Sequence, residues 1–209
     1  MIIAVDGPAA SGKGTIARAL AAHYGLPWLD TGLLYRAVAL SVARQGGDPD
    51  RESDALAAAA FPDDLLRDPE LRAEATGALA SRVSVHPAVR AALLERQRGF
   101  AAQPGGAILD GRDIGTVIAP EADAKIYVTA SAEVRADRRA REMEGRGLVA
   151  DRSAMVAEIV ARDARDMGRA SAPLRQAEDA DLLDTSDLDI ETAVRRAIAL
   201  VDARLKSRS

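Results

Sequence analysis

A short apolar, β-branched run, Ile2–Asp6, passes directly into Gly7-Pro8-Ala9-Ala10-Ser11-Gly12-Lys13-Gly14-Thr15, and from Thr15 to Tyr24 the pattern is helical. Few folds accommodate a buried strand, a glycine-rich turn and a helix in immediate succession, and that succession is what a phosphate-binding loop requires. Glycines permit positive φ, so backbone N–H groups turn inward around an anion. The helix N-terminus adds partial positive charge, and Lys13 is placed to reach the β- and γ-phosphates of a nucleotide. A plain strand–turn–helix junction with a surface lysine is the other reading of the same residues. Most loops of this kind carry Ser or Thr directly after the lysine to hold magnesium. Here Gly14 stands there, and Thr15 follows one position later.

Beyond the loop, strand patterns at Trp28–Asp30, Ala107–Asp110, Ala124–Thr129 and Asp181–Asp184 alternate with helical ones. Thr31-Gly32 opens a helix reaching about Arg44, and residues 51–104 read as mostly helical, broken near Pro62, Pro69 and Pro87. Ser131 caps an arginine-rich helix to Met143, Asp151 caps one to about Met167, and the last runs from Asp189 to Lys206. Such alternation predicts an α/β fold, a five-stranded parallel sheet with helices on both faces. The length of 209 residues suits a single domain.

Composition removes several function classes. No cysteine is present, so disulfides, thiolate metal sites and Cys nucleophiles are out, and His23 and His86 form no ligand pattern. A net charge of −4 argues against a general nucleic-acid binder. Lys13, Lys125 and Lys206 are the only lysines, so nearly all positive charge is arginine, which is either base-composition bias or suited to bidentate phosphate contacts. The opening MIIAVDG lacks a basic then apolar leader, and no run approaches the roughly 18 apolar residues of a membrane span. A cytoplasmic protein with no membrane partner is expected. No dimer signal is legible, which points to a monomer.

Six separated stretches carry a resemblance: VDGPAASGKGT (5–15), LDTGLLYRAVAL (29–40), HPAVRAALLERQR (86–98), LDGRDIGTVIAP (109–120), ARDARDMGRASAPL (161–174) and LLDTSDL (182–188). In this order they resemble the bacterial cytidylate kinases, nucleoside monophosphate kinases of the P-loop fold, along nearly the whole chain. The first motif belongs to many kinases; DGRDIGTV and the RDxRDxxR spacing are more particular. The resemblance implies transfer of the γ-phosphoryl group of ATP to CMP or dCMP with Mg²⁺, in pyrimidine nucleotide metabolism. It implies ATP contacts from Gly7 to Thr15, an acceptor-binding region at about 31–104, and a short lid at about 140–152. Lys13, Arg112 and Arg162 are the catalytic residues it implies.

For the acceptor nucleotide it implies Thr31, Arg36, Ser81, Arg90, Arg112, Asp113, Arg162, Asp166 and Arg169. Several of these also have a chemical reading of their own. Asp30 or Thr31 reads as a helix cap. Asp110, ending an apolar strand, is placed to orient water on magnesium, or is a turn aspartate. Asp113 as an ionised carboxylate accepts from cytosine N4, which donates where uracil O4 does not. Arg90 reads equally as a solvated helix arginine. Arg162, Asp166 and Arg169 fall at i, i+4 and i+7, one face of a helix, where the plain reading is an ion-pair ladder. Arg135, Arg138, Arg139 and Arg146 flank the break at Gly145-Arg146-Gly147 and read as a flap over ATP or as a solvated face.

One stretch departs from the family. Its members usually carry an insert with antiparallel strands, whereas here Phe61–Glu74 is short and shows no strand alternation. A small-metabolite kinase of the same fold, or a nucleotide-binding regulator without metabolic turnover, are the rival readings. The DGRD and RDxRDxxR stretches speak against the first, and the want of a legible apolar partner surface against the second.

Overall fold

The computed structural model describes residues 1–145 and 147–208. The chain forms two compact units, one of Met1–Leu29 with the chain from Gln103 onward, the other of Asp30–Ala102.

The first unit is built on β1 (Ile2–Asp6), β3 (Ala107–Gly111), β4 (Ala124–Thr129) and β5 (Asp181–Asp184), with β2 (Trp28–Asp30) at the sheet's edge. The five-stranded parallel sheet has the order β2-β3-β1-β4-β5. Register sets Asp6 beside both Gly111 and Tyr127, so the strands end level and the loops that follow gather on one edge. Its helices are α1 (Lys13–Tyr24), α6 (Ala132–Glu144), α7 (Arg152–Met167) and α8 (Ile190–Arg208). Ile3 and Val5 share a face of the sheet, and with Ile108, Ile126 and Val128 they meet Ile16 and Leu20 of α1 and Ala193, Ala197 and Val201 of α8. Each such buried Ile, Leu or Val contributes roughly 2 kcal/mol. A surface pair such as Arg195–Glu191, both largely exposed, contributes less than about 1 kcal/mol, so burial and not ion pairing holds this layer together. Helices α6 and α7 form a hairpin with a small core of its own, Ala136, Ala140, Met155 and Ile159.

The second unit is helical: α2 (Thr31–Arg44), α3 (Glu52–Ala57), α4 (Glu74–Val83) and α5 (Pro87–Ala101). Asp30 caps α2, its carboxylate accepting from Gly32 N at 2.9 Å. Helix α2 buries Leu34, Tyr35, Ala37, Val38, Ala39, Leu40 and Val42, and packs on α4. Between α3 and α4 the chain takes short 3₁₀ turns, including Asp63–Arg67 and Pro69–Arg72, and no strand. Arg44 ties Asp68 and Glu70 to α2, and Arg82 ties Asp50 to α4. Among the described residues, no helix is long and apolar enough to cross a membrane.

Gly7 follows β1 with φ +154°, and a Cβ built there would stand 2.0 Å from the Val128 carbonyl oxygen. Backbone meets backbone, so nothing yields without moving β4. Gly7→Ala is expected to cost about 3 kcal/mol or more in urea unfolding. A loss below about 1 kcal/mol would contradict this close approach.

Candidate active site

The glycine loop is shaped from outside. Ala10 sits at φ +58° and Gly12 at φ +88°, and Gly12 O accepts from the amides of Thr15 and Ile16 to start α1. The helix therefore opens at Lys13, two residues ahead of the sequence expectation. Two outward carbonyls are held from behind. Arg135 Nη1 donates to Ala9 O at 3.2 Å, while the one Thr185 hydroxyl is shared between Ser11 O at 3.2 Å and Thr129 O at 3.0 Å. Arg138 donates to Thr185 Oγ1 at 3.0 Å and to Thr185 O at 2.6 Å. With these two carbonyls engaged, the loop follows the C-terminal end of β1, the position of an anion-binding nest. Lys13 Nζ lies 3.5 Å from Pro8 O, folded over the same loop.

Two carboxylates follow from the strand ends. Asp110, buried at the end of β3, accepts from Trp28 Nε1 through Oδ1 at 2.6 Å. Its other oxygen faces α1, since a Cβ on Gly14 would lie 3.8 Å from Asp110 Oδ2. Asp6 ends β1 and accepts from the amides of Ile114 and Gly115, each at 2.8 Å. Those amides open a single π-helical turn, Ile114–Ile118, directly after Arg112 and the buried Asp113. Burial pushes the Asp6 carboxyl up to about 7, with the charge of Asp113 acting the same way; the two amide donors and Arg112 pull against them.

Arg112 Nε donates to Asp166 Oδ2 at 2.9 Å. Burial works to raise the pKa of Asp166, but the charges of Arg112, Arg169 and Arg162 outweigh it and hold the carboxyl below its usual range. Arg169 is not on the helical face that the spacing predicts. Helix α7 ends at Met167, Gly168 closes it, and Arg169 turns back so that its Nε donates to the Asp166 carbonyl at 3.2 Å.

The second unit carries the other predicted residues. Thr31 is the buried first residue of α2. Arg36 Nη1 donates to the carbonyls of Leu71 and Ala73 at 2.7 and 3.0 Å, and Gly77 of α4 leaves room for its guanidinium. Ser81 is buried on α4. Arg90 is buried too, which rules out the solvated helix arginine; it lies 5.4 Å from the centroid of the Tyr35 ring and donates to Ser84 O at 3.3 Å.

The flap arginines divide. Arg135 is not a flap residue: it is buried, bonded to Ala9 and Ala130 carbonyls and paired with Asp163 at 2.6 Å. Arg138 braces Thr185, and Arg139 pairs with Glu158 at 3.0 Å within the α6–α7 hairpin. Arg146 lies outside the described residues. Thr185, Asp6, Trp28 and Asp163 were missed by motif reasoning. Each sits inside or beside a quoted motif, and only Asp6, an aspartate immediately before the loop's first glycine, carried a local signal.

The family model for cytidylate kinase matches residues 3–203. The chain belongs to this family. A protein named cytidylate kinase from Xanthobacter autotrophicus is 59% identical over 209 residues, covering 100% of each chain. Another so named from Rhodopseudomonas palustris is 58% identical over 204 residues, 97% of this chain and 96% of that one. Among solved structures, an uncharacterised protein from Eubacterium ventriosum matches with TM-score 0.57 at 15% identity, covering 97% of this chain and 99% of its own. A gluconokinase from Sinorhizobium meliloti matches with TM-score 0.54 at 16% identity, covering 98% and 93%. At such identities these two speak for the α/β fold alone.

Asp6 gives this member of the cytidylate kinase family a pH signature. An unfolded aspartate titrates near 3.8 and the folded one near 7, so the folded state holds the extra proton between those values. The stabilisation is complete below about pH 4 and is lost as pH rises through 7, on the order of 4 kcal/mol in all. Urea midpoints measured from pH 5 to pH 8 should fall in the parent protein and stay level in Asp6→Asn. Equal slopes would show that Asp6 is not the titrating group.

Proposed function

We propose that the chain transfers the γ-phosphoryl group of ATP to the phosphate of CMP, giving ADP and CDP, with dCMP as a further acceptor. The observation that best supports the reading is the gathering of Arg112, Arg162 and Arg169 about one carboxylate, Asp166. Three guanidinium charges near one carboxylate, with Arg112 bonded to it, leave surplus positive charge, which suits a phosphate dianion held by bidentate contacts.

In this mechanism Lys13 and the backbone of the loop from Gly7 to Thr15 hold the β- and γ-phosphates. Arg112 and Arg162 hold the acceptor phosphate, with Asp166 fixing Arg112. An anionic oxygen of that phosphate forms the new bond to γ-phosphorus as the bond to the bridging oxygen breaks, and the electron pair leaves with ADP. The nucleophile is already ionised, so positioning and charge neutralisation supply the catalysis and no strong base is needed. Magnesium bound with the nucleotide would supply further charge neutralisation. Asp110 fits as its protein contact through water, because Oδ2 faces side-chain-free Gly14. Among the described residues no group of three His, Cys, Asp or Glu side chains could hold a metal ion.

Thr31, Arg36, Ser81 and Arg90 bind the acceptor nucleotide, in a region spanning about 31–104. Asp113 reads the base by accepting from cytosine N4. The short lid at about 140–152 excludes water during transfer. The enzyme works in the cytoplasm as a monomer in pyrimidine nucleotide metabolism.

ADP release measured with CMP, dCMP, UMP, AMP, GMP and shikimate should favour CMP and dCMP; preference for another acceptor would overturn the base assignment. Lys13→Met is expected to lower turnover at least about a hundredfold with CMP binding kept. Asp113→Asn should narrow the CMP-over-UMP ratio, because an amide donates as well as accepts. An unchanged ratio would remove Asp113 from base recognition.

A further inference from the structure

Trp28 is the chain's single tryptophan, and it stands on β2 with its indole N–H on the buried carboxylate of Asp110, 2.6 Å away. We propose that Trp28 is a positioning residue for magnesium–ATP, its N–H holding Asp110 Oδ1 so that Oδ2 is presented to the water shell of the metal beside the phosphate loop. The inference rests on the magnesium–ATP part of the proposed function and is independent of which acceptor is used.

The geometry carries it in three steps. An indole nitrogen can only donate, so Trp28 always takes Oδ1 as an acceptor and stops the carboxylate from rotating freely about its last torsion. With Oδ1 committed, Oδ2 is the oxygen turned toward the first turn of α1, where Gly14 has no side chain to intervene and a Cβ would be 3.8 Å off. The indole is itself oriented by that helix. Arg18 lies four residues after Gly14, hence on the same face of α1, and its guanidinium carbon is 5.6 Å from the Trp28 ring centroid. The helix that opens the phosphate loop thus also sets the ring that sets the carboxylate. Gly14 removes the hydroxyl that loops of this kind commonly offer to the metal. Fixing one carboxylate oxygen in place compensates, because an outer partner of a metal-facing group tunes affinity by about 10- to 100-fold.

Trp28→Phe keeps a ring beside Arg18 and deletes the donor. Two quantities separate positioning from mere packing: binding of ATP in EDTA, and the free Mg²⁺ concentration giving half-maximal binding of a non-hydrolysable ATP analogue, both measured without any acceptor. The expected result is a rise of about tenfold in the Mg²⁺ requirement, with metal-free ATP binding unchanged within about twofold. Asp110→Asn should raise the requirement at least as far, since its amide nitrogen must face either the indole donor or the metal water. Trp28→Phe added to Asp110→Asn should then change nothing more. Equal losses with and without metal, additive effects, or no effect of Asp110→Asn would each overturn the proposal. Should Trp28→Phe fail to fold, the parent protein still decides. Its tryptophan emission should change when Mg²⁺ is added to the analogue-loaded form, and an emission blind to Mg²⁺ there would overturn the assignment. Failure of the CMP assignment would leave all these readings intact.

Discussion

The phosphate loop depends on hydrogen bonds that reach it from outside. A glycine-rich turn has many conformations in reach, and ordering it costs roughly 1–2 kcal/mol per residue. That cost is met here by fastening the carbonyls rather than the amides. Ala9 O is held by Arg135, and Ser11 O by Thr185, which Arg138 braces in turn. Amides cannot be fastened by the protein without being lost to an anion, so the carbonyl side is the only side that can be tied down. The loop stays open for phosphate because its back is closed.

Two buried aspartates, one ending β1 and one in the last turn of α7, are put to opposite uses. Asp6 and Asp166 are both buried, yet one carboxyl is pushed up and the other held down. The difference lies in company. Asp166 has three guanidinium groups around it, whereas Asp6 has two neutral amide donors and the like charge of Asp113 nearby. Three guanidinium charges overcome burial at Asp166, whereas two amide donors and the one guanidinium of Arg112 do not at Asp6. Asp166 is therefore a fixed anion that aligns Arg112, and Asp6 is a structural tie between the end of β1 and the turn after Asp113.

Much of the architecture was legible because it is written locally. Strand runs at Ile2–Asp6 and Ala124–Thr129, and caps at Asp30, Ser131 and Asp151, need no knowledge of distant residues, and the elements follow them closely. The motif residues around Asp166 were equally visible, although a helical count carried Arg169 onto α7 when Gly168 had already ended it. What stayed hidden depends on register. Nothing near Trp28 in sequence announces Asp110, and nothing near Arg135 announces Ala9 or Asp163; the sheet, the glycine loop and the α6–α7 hairpin bring them together across 82, 126 and 28 residues. Arg135 was misread for the same reason, since a helix arginine beside a glycine break looks solvated until its partners arrive from elsewhere in the chain.

The bond from Thr185 to Ser11 spans 174 residues. During synthesis the strand β1, the loop and α1 emerge well before the residue that closes the loop's back. Contacts so distant in sequence form late, after shorter loops have closed. A nascent chain that stops short of β5 can fold much of its sheet and still lack an ordered phosphate cradle. The phosphate cradle thus waits on a residue made long after the loop itself.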